Sequence, residues 1–252
     1  MTLLGYNLSP AEAKSGDTVL LTLYWKSDAA TQADYTVRVD FLTPDGTSAF
    51  GVDLPPVNAY PTSQWRPGDQ WRGQHRLRLP ATLAAGDYQL SISINGEPGA
   101  QTLGTIKVVT PARTFTRPAL QFESGASFEN VTVLEGYSLK KEENALTITL
   151  IWRATATPEV SYSAFVHLSG AAGRIWAQSD SVPADWTRPT TGWIAGEYLV
   201  DEHTLSLPSD LPPGGYTLFV GLYDPQTGGR VPAMGPGAGA DNRVEIGAVT
   251  LP

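Results

Sequence analysis

The chain has 252 residues, contains no cysteine and carries a formal net charge of −8. The lack of cysteine excludes a disulfide framework, a thiolate zinc site and a cysteine nucleophile. The acidic balance and the absence of a basic cluster argue against binding to nucleic acid or to anionic lipid, both of which need grouped Lys and Arg.

Membrane-spanning and targeting signals are missing from these residues. No apolar run approaches the roughly 20 residues that cross a bilayer, so insertion of this chain into a membrane is not predicted. The opening residues, "MTLLGYNLSP", lack the basic region followed by an apolar stretch that marks a signal peptide.

Strand signals dominate the chain from its beginning. Apolar and polar residues alternate over 19–25, 37–41, 75–79 and 88–94, which predicts strands with one buried and one wet face. Turn-forming residues separate these runs, as in "TPDG" (43–46), "AAGD" (84–87) and "PPGG" (212–215),. No window keeps a convincing helical period, so an all-β fold is predicted.

Most of the chain occurs twice in the same order. The matching pairs are "LGYNLS" (4–9) with "EGYSLK" (135–140), "LTLYW" (21–25) with "ITLIW" (148–152), "YTVRVDFLTPDG" (35–46) with "YSAFVHLSGAAG" (162–173), and "HRLRLPATLAAGDYQLSI" (75–92) with "HTLSLPSDLPPGGYTLFV" (203–220). This pattern predicts an internal duplication, with two tandem antiparallel β-sandwiches of about seven or eight strands each. Ig-like and jelly-roll-like topologies both fit the pattern.

The repeats also predict the domain boundaries. Copy 1 covers 1–110, a semi-ordered linker with two prolines covers 111–127, and copy 2 covers 128–252. Copy 2 opens with "FENVTVLEGYSL" (128–139), whereas only "MTL" precedes the equivalent residues of copy 1. The first strand of copy 1 is therefore predicted to be truncated, and the chain to be a fragment of a longer polypeptide.

A tryptophan-containing loop is repeated in both copies. Residues 60–69 read "YPTSQWRPGD" and residues 188–197 read "RPTTGWIAGE". Trp65 and Trp193 admit two interpretations: exposed aromatic platforms that stack on sugar rings, or structural corners that plug one end of each sandwich. Solvent exposure of the two indoles separates these interpretations, and repetition of the loop favours the corner.

A ligand site, if present, is predicted to be aromatic. Trp186 follows "SVPAD" in a loop and is the best single candidate for an exposed aromatic residue, while Tyr60 flanks the loop of copy 1. The predicted stacking residues are Tyr60, Trp65, Trp186 and Trp193. Asp69, Gln64 and Glu197 are the predicted hydrogen-bonding neighbours.

Catalytic and metal-binding patterns are absent from the sequence. There is no G-x-S-x-G, no phosphate-binding Gly loop and no H-E-x-x-H,. His75 and His203 share the parity of core residues, which is typical of structural histidines. No catalytic residue, metal site or cofactor is predicted, and no pair of carboxylates identifies a glycosidase.

A resemblance to a known family rests on residues 207–232, "LPSDLPPGGYTLFVGLYDPQTGGRVP", together with "GYSL", "ITLIW", "FVHL" and the P-T-x-x-W loop. These motifs resemble the β-sandwich repeats in the extracytoplasmic tails of bacterial multi-spanning membrane glycosyltransferases of the dolichyl-phosphate-mannose mannosyltransferase-like kind. The resemblance implies an accessory module outside the cytoplasm, with catalysis elsewhere in a membrane-spanning parent chain.

Three functional hypotheses follow. The leading one is a non-catalytic accessory module that binds glycan for a larger membrane-associated protein. The alternative is a structural or protein-interaction spacer without a ligand, which contacts a partner chain through exposed edges and loops. The third is an unrecognised hydrolase.

Overall fold

The computed structural model describes residues 1–95 and 97–251. The chain divides into two compact units, Met1–Pro111 and Ala112–Pro252. Each unit consists of two β-sheets that enclose one hydrophobic core. The all-β prediction is confirmed, and the helical segments of the described residues are three-residue 3₁₀ turns.

Unit 1 contains eight strands within its described residues. They are β1 (Thr2–Ser9), β2 (Glu12–Lys14), β3 (Thr18–Lys26), β4 (Val37–Leu42), β5 (Ser48–Leu54), β6 (Gln70–Arg78), β7 (Gly86–Ile94) and β8 (Ala100–Val109). One sheet has the order β1-β3-β6 and the other has the order β2-β8-β7-β4-β5. The short β2 pairs in parallel with β8, and the other neighbours are antiparallel.

Unit 2 contains nine strands within its described residues. They are β9 (Phe122–Phe128), β10 (Thr132–Lys141), β11 (Ala145–Ala154), β12 (Ser163–Ser169), β13 (Ile175–Ser181), β14 (Tyr198–Ser206), β15 (Gly214–Tyr223), β16 (Ala233–Met234) and β17 (Val244–Leu251). One sheet has the order β14-β11-β10-β9-β16 and the other has the order β13-β12-β15-β17.

The strand order identifies the topology that the sequence left open. In unit 1, β1, β3 and β6 face β8, β7, β4 and β5, which is the Ig-like order A-B-E facing G-F-C-C′,. In unit 2, β10, β11 and β14 face β17, β15, β12 and β13 in the same way. Both sandwiches are therefore Ig-like, and unit 2 adds β9 and β16 beyond β10.

Residues at equivalent positions of the two units are buried in the same way and make the same contacts. Trp25 of β3 and Trp152 of β11 are both buried, as expected for an aromatic residue that alternates with aliphatic ones. A tyrosine hydroxyl lies over a glycine of the last strand in each unit, Tyr6 over Gly104 and Tyr137 over Gly247. A side chain at either glycine would collide with the hydroxyl, because its Cβ would lie 2.3 Å from the oxygen.

Part of the predicted linker belongs to unit 2. Residues 122–127 lie in β9, which pairs with β10, and Thr114 forms an isolated bridge with Tyr198 of β14. The segment from Ala112 onward is therefore part of the second sandwich. The strand was missed because Ser124, Gly125 and Ala126 interrupt the apolar alternation on which strand prediction depends,.

Candidate functional site

The repeated tryptophan loop builds the same hydrogen-bonded corner in both units. The Thr62 hydroxyl donates to the Ala33 carbonyl at 2.9 Å and accepts from the Tyr35 amide at 2.8 Å. Thr190 repeats this arrangement with Val160 at 2.7 Å and Tyr162 at 3.0 Å. Each threonine thus fastens its loop to the chain that leads into the C strand, β4 or β12. The Pro-Thr of the motif is a structural clamp.

The indoles that follow the clamp point into the cores. Trp65 is 3% exposed and Trp193 is 0% exposed. Their Nε1–H groups donate to backbone carbonyls of their own loops, Trp65 to Tyr60 at 3.4 Å and Trp193 to Arg188 at 2.9 Å. Neither ring has a solvent-exposed face, so both residues pack as part of the cores. Stacking on a sugar would require a different conformation of the loop.

Tyr60 occupies a partly covered position beside these indoles. Its ring lies 4.6 Å from that of Trp71, and Trp71 lies 6.1 Å from Trp65. Its hydroxyl donates to the Gln64 carbonyl at 3.2 Å. Tyr60 is half-buried, so it presents an edge rather than a free platform for stacking.

The acid that ends each loop has different surroundings in the two units. Asp69 accepts a hydrogen bond from the Arg66 amide at 2.8 Å, which closes the turn. Glu197 accepts from the equivalent Ile194 amide at 3.3 Å and is also ion-paired with Arg113 and Arg188. In unit 2 the turn-closing carboxylate is therefore also part of a charged cluster.

This cluster is almost fully removed from water. Glu197 is 0% exposed, and the side chains of Arg113 and Arg188 are 11% and 18% exposed. Arg113 also donates to the Gly192 carbonyl at 3.1 Å, and Arg188 to the Ala112 carbonyl at 2.9 Å. The carboxylate of Glu197 is thus held between two guanidinium groups in the interior of unit 2.

Trp186 lies on an unusual turn next to this cluster. Its side chain is 66% exposed, as the sequence predicted. Ala184, Asp185 and Trp186 have φ angles of 55°, 48° and 66°. Three consecutive non-glycine residues in the left-handed region are strained, at roughly 1–3 kcal/mol each, and such strain persists only where the surroundings hold it.

Asp201 of β14 holds this turn in place. Its Oδ1 accepts from the Ala184 amide at 2.8 Å, and its Oδ2 accepts from Trp152 Nε1 at 3.0 Å and from His203 Nε2 at 3.1 Å. The carboxylate is fully buried. One core residue of β14 therefore connects the interior of the sandwich to the loop that displays Trp186.

The same carboxylate belongs to a Ser–His–Asp chain. Ser179 Oγ lies 3.0 Å from His203 Nδ1, and Nε2 of that ring donates to Asp201 because a carboxylate only accepts,. These residue types carry out nucleophilic catalysis in hydrolases. Here His203 and Asp201 are buried in the core and Ser179 is half-buried. The hydrogen-bonded chain links β13 of one sheet to β14 of the other.

An open cleft lies beside the exposed tryptophan. It has a volume of about 260 Å³. Its lining includes Arg113, Ala184, Arg188, Tyr198 and Val200. Trp186 sits between two of these residues along the chain, and Val200 and the nearby Phe115 are exposed. The cleft therefore combines nearly buried, fixed charges with the exposed Val200. Two exposed aromatic residues, Trp186 and Phe115, lie close in sequence to its lining residues.

His167 lies outside this cleft, on the outer face of β12. It is 7% exposed, and its ring stacks on Phe165 at 4.5 Å. Burial, and then the charges of Arg230 and Arg243, lower the pKa of His167 to about 4. Its counterpart in the repeat, Asp40, is instead ion-paired with Arg38 at 3.2 Å.

The buried His167 makes a pH-dependent contribution to stability. Between about pH 6.5 and 4 the unfolded chain gains a proton here that the folded chain excludes, so the free energy of unfolding falls as the pH is lowered. Urea unfolding of wild type and His167→Phe at pH 7 and 4.5 tests this. The wild type is expected to lose roughly 2–3 kcal/mol more than the variant. Equal losses would contradict the assignment.

The described residues, 1–95 and 97–251, contain no group of three or more His, Asp or Glu side chains placed to hold a metal ion.

Comparison with known proteins gives similarity to solved structures alone. Neither the family models nor the curated protein sequences match this chain. A DUF3823 family protein from Bacteroides ovatus ATCC 8483 shares 13% identity at a TM-score of 0.33, over 92% of this chain and 99% of that one. Dimeric latent PorU from Porphyromonas gingivalis shares 15% identity at a TM-score of 0.28, over 93% of this chain and 19% of that one. Both TM-scores are too low to support an argument about the site.

Proposed function

We propose that this chain is a non-catalytic tandem Ig-like module and that unit 2 binds carbohydrate at the cleft beside Trp186. The observation that carries the proposal is the display of Trp186, which is 66% exposed on a strained left-handed turn. A large aromatic residue held outward by a buried carboxylate is more consistent with recognition than with packing.

The chemistry of the cleft suits a sugar. An exposed indole provides a flat apolar face for the C–H surface of a pyranose ring. Arg188 and Tyr198 supply donors for hydroxyl groups,. Because Arg188 is already fixed by Glu197 and by the Ala112 carbonyl, little side-chain entropy is lost when a ligand binds.

The proposal is tested by titrating the chain with a panel of neutral and acidic oligosaccharides while tryptophan emission is recorded. At least one glycan is expected to give a saturable response, which Trp186→Ala weakens by at least about tenfold, or roughly 1.4 kcal/mol. Met234→Ala is the matched control, since Met234 is an exposed apolar residue of the same unit outside the cleft lining. No response across the panel would end the carbohydrate proposal.

A structural or protein-interaction spacer is the second candidate. It is favoured by the burial of both repeated tryptophans, Trp65 and Trp193, and by the exposure of Phe115 and Val200. Under this alternative the rim of the cleft contacts a partner chain and no glycan responds.

The setting of the module in a larger protein is part of the proposal. The resemblance of residues 207–232 to the tails of membrane glycosyltransferases supports an extracytoplasmic location and a parent chain that processes glycans. Among the described residues, no helix is long and apolar enough to cross a membrane.

A further inference from the structure

The exposed edge of the first sheet differs between the two units. In unit 2, β10 is flanked by β11 on one side and by β9 on the other. In the described part of unit 1, the equivalent strand β1 has β3 as its single neighbour. The free side of β1 therefore presents unpaired backbone groups, which are a template for an added strand.

A glycine at this edge, Gly5, leaves room for an added strand. Both strands carry a bulge at the same place, between Leu3 and Gly5 in β1 and between Leu134 and Gly136 in β10. A Cβ on Gly136 would lie 2.1 Å from the Phe122 carbonyl of β9, whereas a Cβ on Gly5 would meet nothing within 4 Å. Unit 1 thus keeps the glycine, and the open space beside it, that unit 2 uses to admit β9.

Two aromatic contacts of β9 also have open counterparts in unit 1. Phe122 stacks on Tyr137 at 4.9 Å, and Phe128 packs edge-on against Trp152 at 5.5 Å. The counterpart of Tyr137 is Tyr6, which is only half-buried, while Tyr137 is buried.

The counterpart of Trp152 borders a cleft. Trp25 Nε1 is buried and, within the described residues, has no hydrogen-bond partner. Trp25 lines a cleft of about 360 Å³ together with Met1, Leu3, Ile92 and Ile94. A cleft of this size beside a free strand edge, with Met1, Leu3, Ile92 and Ile94 in its lining, is suited to an inserted side chain.

We propose that the free edge of β1 binds an extended peptide strand with the chemistry of β9, by antiparallel β-augmentation. The register follows from β9 and β10, in which Phe122 is opposite Tyr137 and Phe128 is opposite Thr132. The bound strand therefore places one aromatic residue over Tyr6 and a second opposite Met1, beside the cleft at Trp25. Its backbone passes Gly5, where a carbonyl oxygen occupies the open space.

The probe is a fluorescein-labelled heptapeptide with the sequence of β9, Phe-Glu-Ser-Gly-Ala-Ser-Phe, added to the full chain. Fluorescence anisotropy measures its binding. The control peptide has serine at both aromatic positions. Gly5→Ala is the variant that tests the binding edge. Its Cβ has free space in the unbound chain but blocks the approach of a docked strand.

Saturable binding to wild type is expected, weakened at least tenfold by Gly5→Ala and by the serine peptide. The midpoint temperature of thermal unfolding is expected to be unchanged in Gly5→Ala, which shows that this variant is folded. The matched substitution Gly136→Ala is expected to lower it, because its Cβ collides with β9. Absence of saturable binding at millimolar peptide, or equal binding by wild type and Gly5→Ala, would overturn the proposal. A dimer of the peptide-free chain that Gly5→Ala dissociates would overturn it too, since the occupant would then be a second copy.

Discussion

Replacing Glu197 with alanine is expected to lower the free energy of unfolding by about 3–5 kcal/mol, because it removes the buried carboxylate that pairs with two nearly buried arginines. Glu197 is ion-paired with Arg113 and Arg188, and its own side chain is completely buried. Urea unfolding at neutral pH measures the loss.

The matched control is Asp69→Ala in unit 1. Asp69 occupies the same place in the repeat but accepts one backbone hydrogen bond, from Arg66, so its loss is expected to cost about 1 kcal/mol. Similar losses for the two variants would show that the arginines of unit 2 do not depend on Glu197.

Asp201→Ala is expected to have a comparably large effect and to disturb the display of Trp186. Removing the carboxylate leaves three donors without this partner, the buried ones of Trp152 and His203 and the partly buried amide of Ala184. Each unpaired donor costs about 1–3 kcal/mol, although relaxation of the Ala184 turn toward solvent recovers part of the loss. A total of about 3–5 kcal/mol is therefore expected.

The neighbouring exposed residue provides the control. Glu202 lies next to Asp201 on β14 with its side chain on the opposite, exposed face, so Glu202→Ala is expected to change stability by less than about 0.5 kcal/mol. In Asp201→Ala, the tryptophan emission of the folded chain should change as the turn carrying Trp186 loosens. A stable variant with unchanged emission would contradict the role assigned to Asp201.

Local patterns were sufficient to predict most of the fold. Alternation identified the core strands, and the parity of His75 and His203 placed both histidines in the interior, where the structure has them. The position of Trp186 after "SVPAD" predicted its exposure. Each of these features depends on a residue and its near neighbours in sequence, which is the range over which periodicity and turn chemistry act.

The charged and polar clusters depend on contacts that the sequence does not reveal. Arg113 reaches Glu197 across 84 residues, and it lies in a segment predicted to be a linker. Asp201 lies on the same face of β14 as His203, but its bonds to Trp152 and Ala184 depend on how two strands and a loop converge. Sequence patterns report which face a residue occupies, but they do not report which distant residue meets it there.

The repeated loop has features that both units share and features that distinguish unit 2. The threonine clamp and the buried indole occur in both units, so they belong to the fold. The Arg113–Glu197–Arg188 cluster and the Trp186 turn occur in unit 2, where they add to the corner. These features, and not the repeated tryptophans, are the basis of the proposed carbohydrate site.

The most direct test is two-dimensional ¹H–¹⁵N NMR of the indole N–H signals of the seven tryptophans during titration with a responding glycan. Single-tryptophan variants assign the signals. A site beside Trp186 predicts that the Trp186 signal shifts progressively with ligand while the signals of Trp65 and Trp193 stay in place. Shifts of Trp65 or Trp193 with an unmoved Trp186 would contradict it, because the site would then lie at the repeated corners.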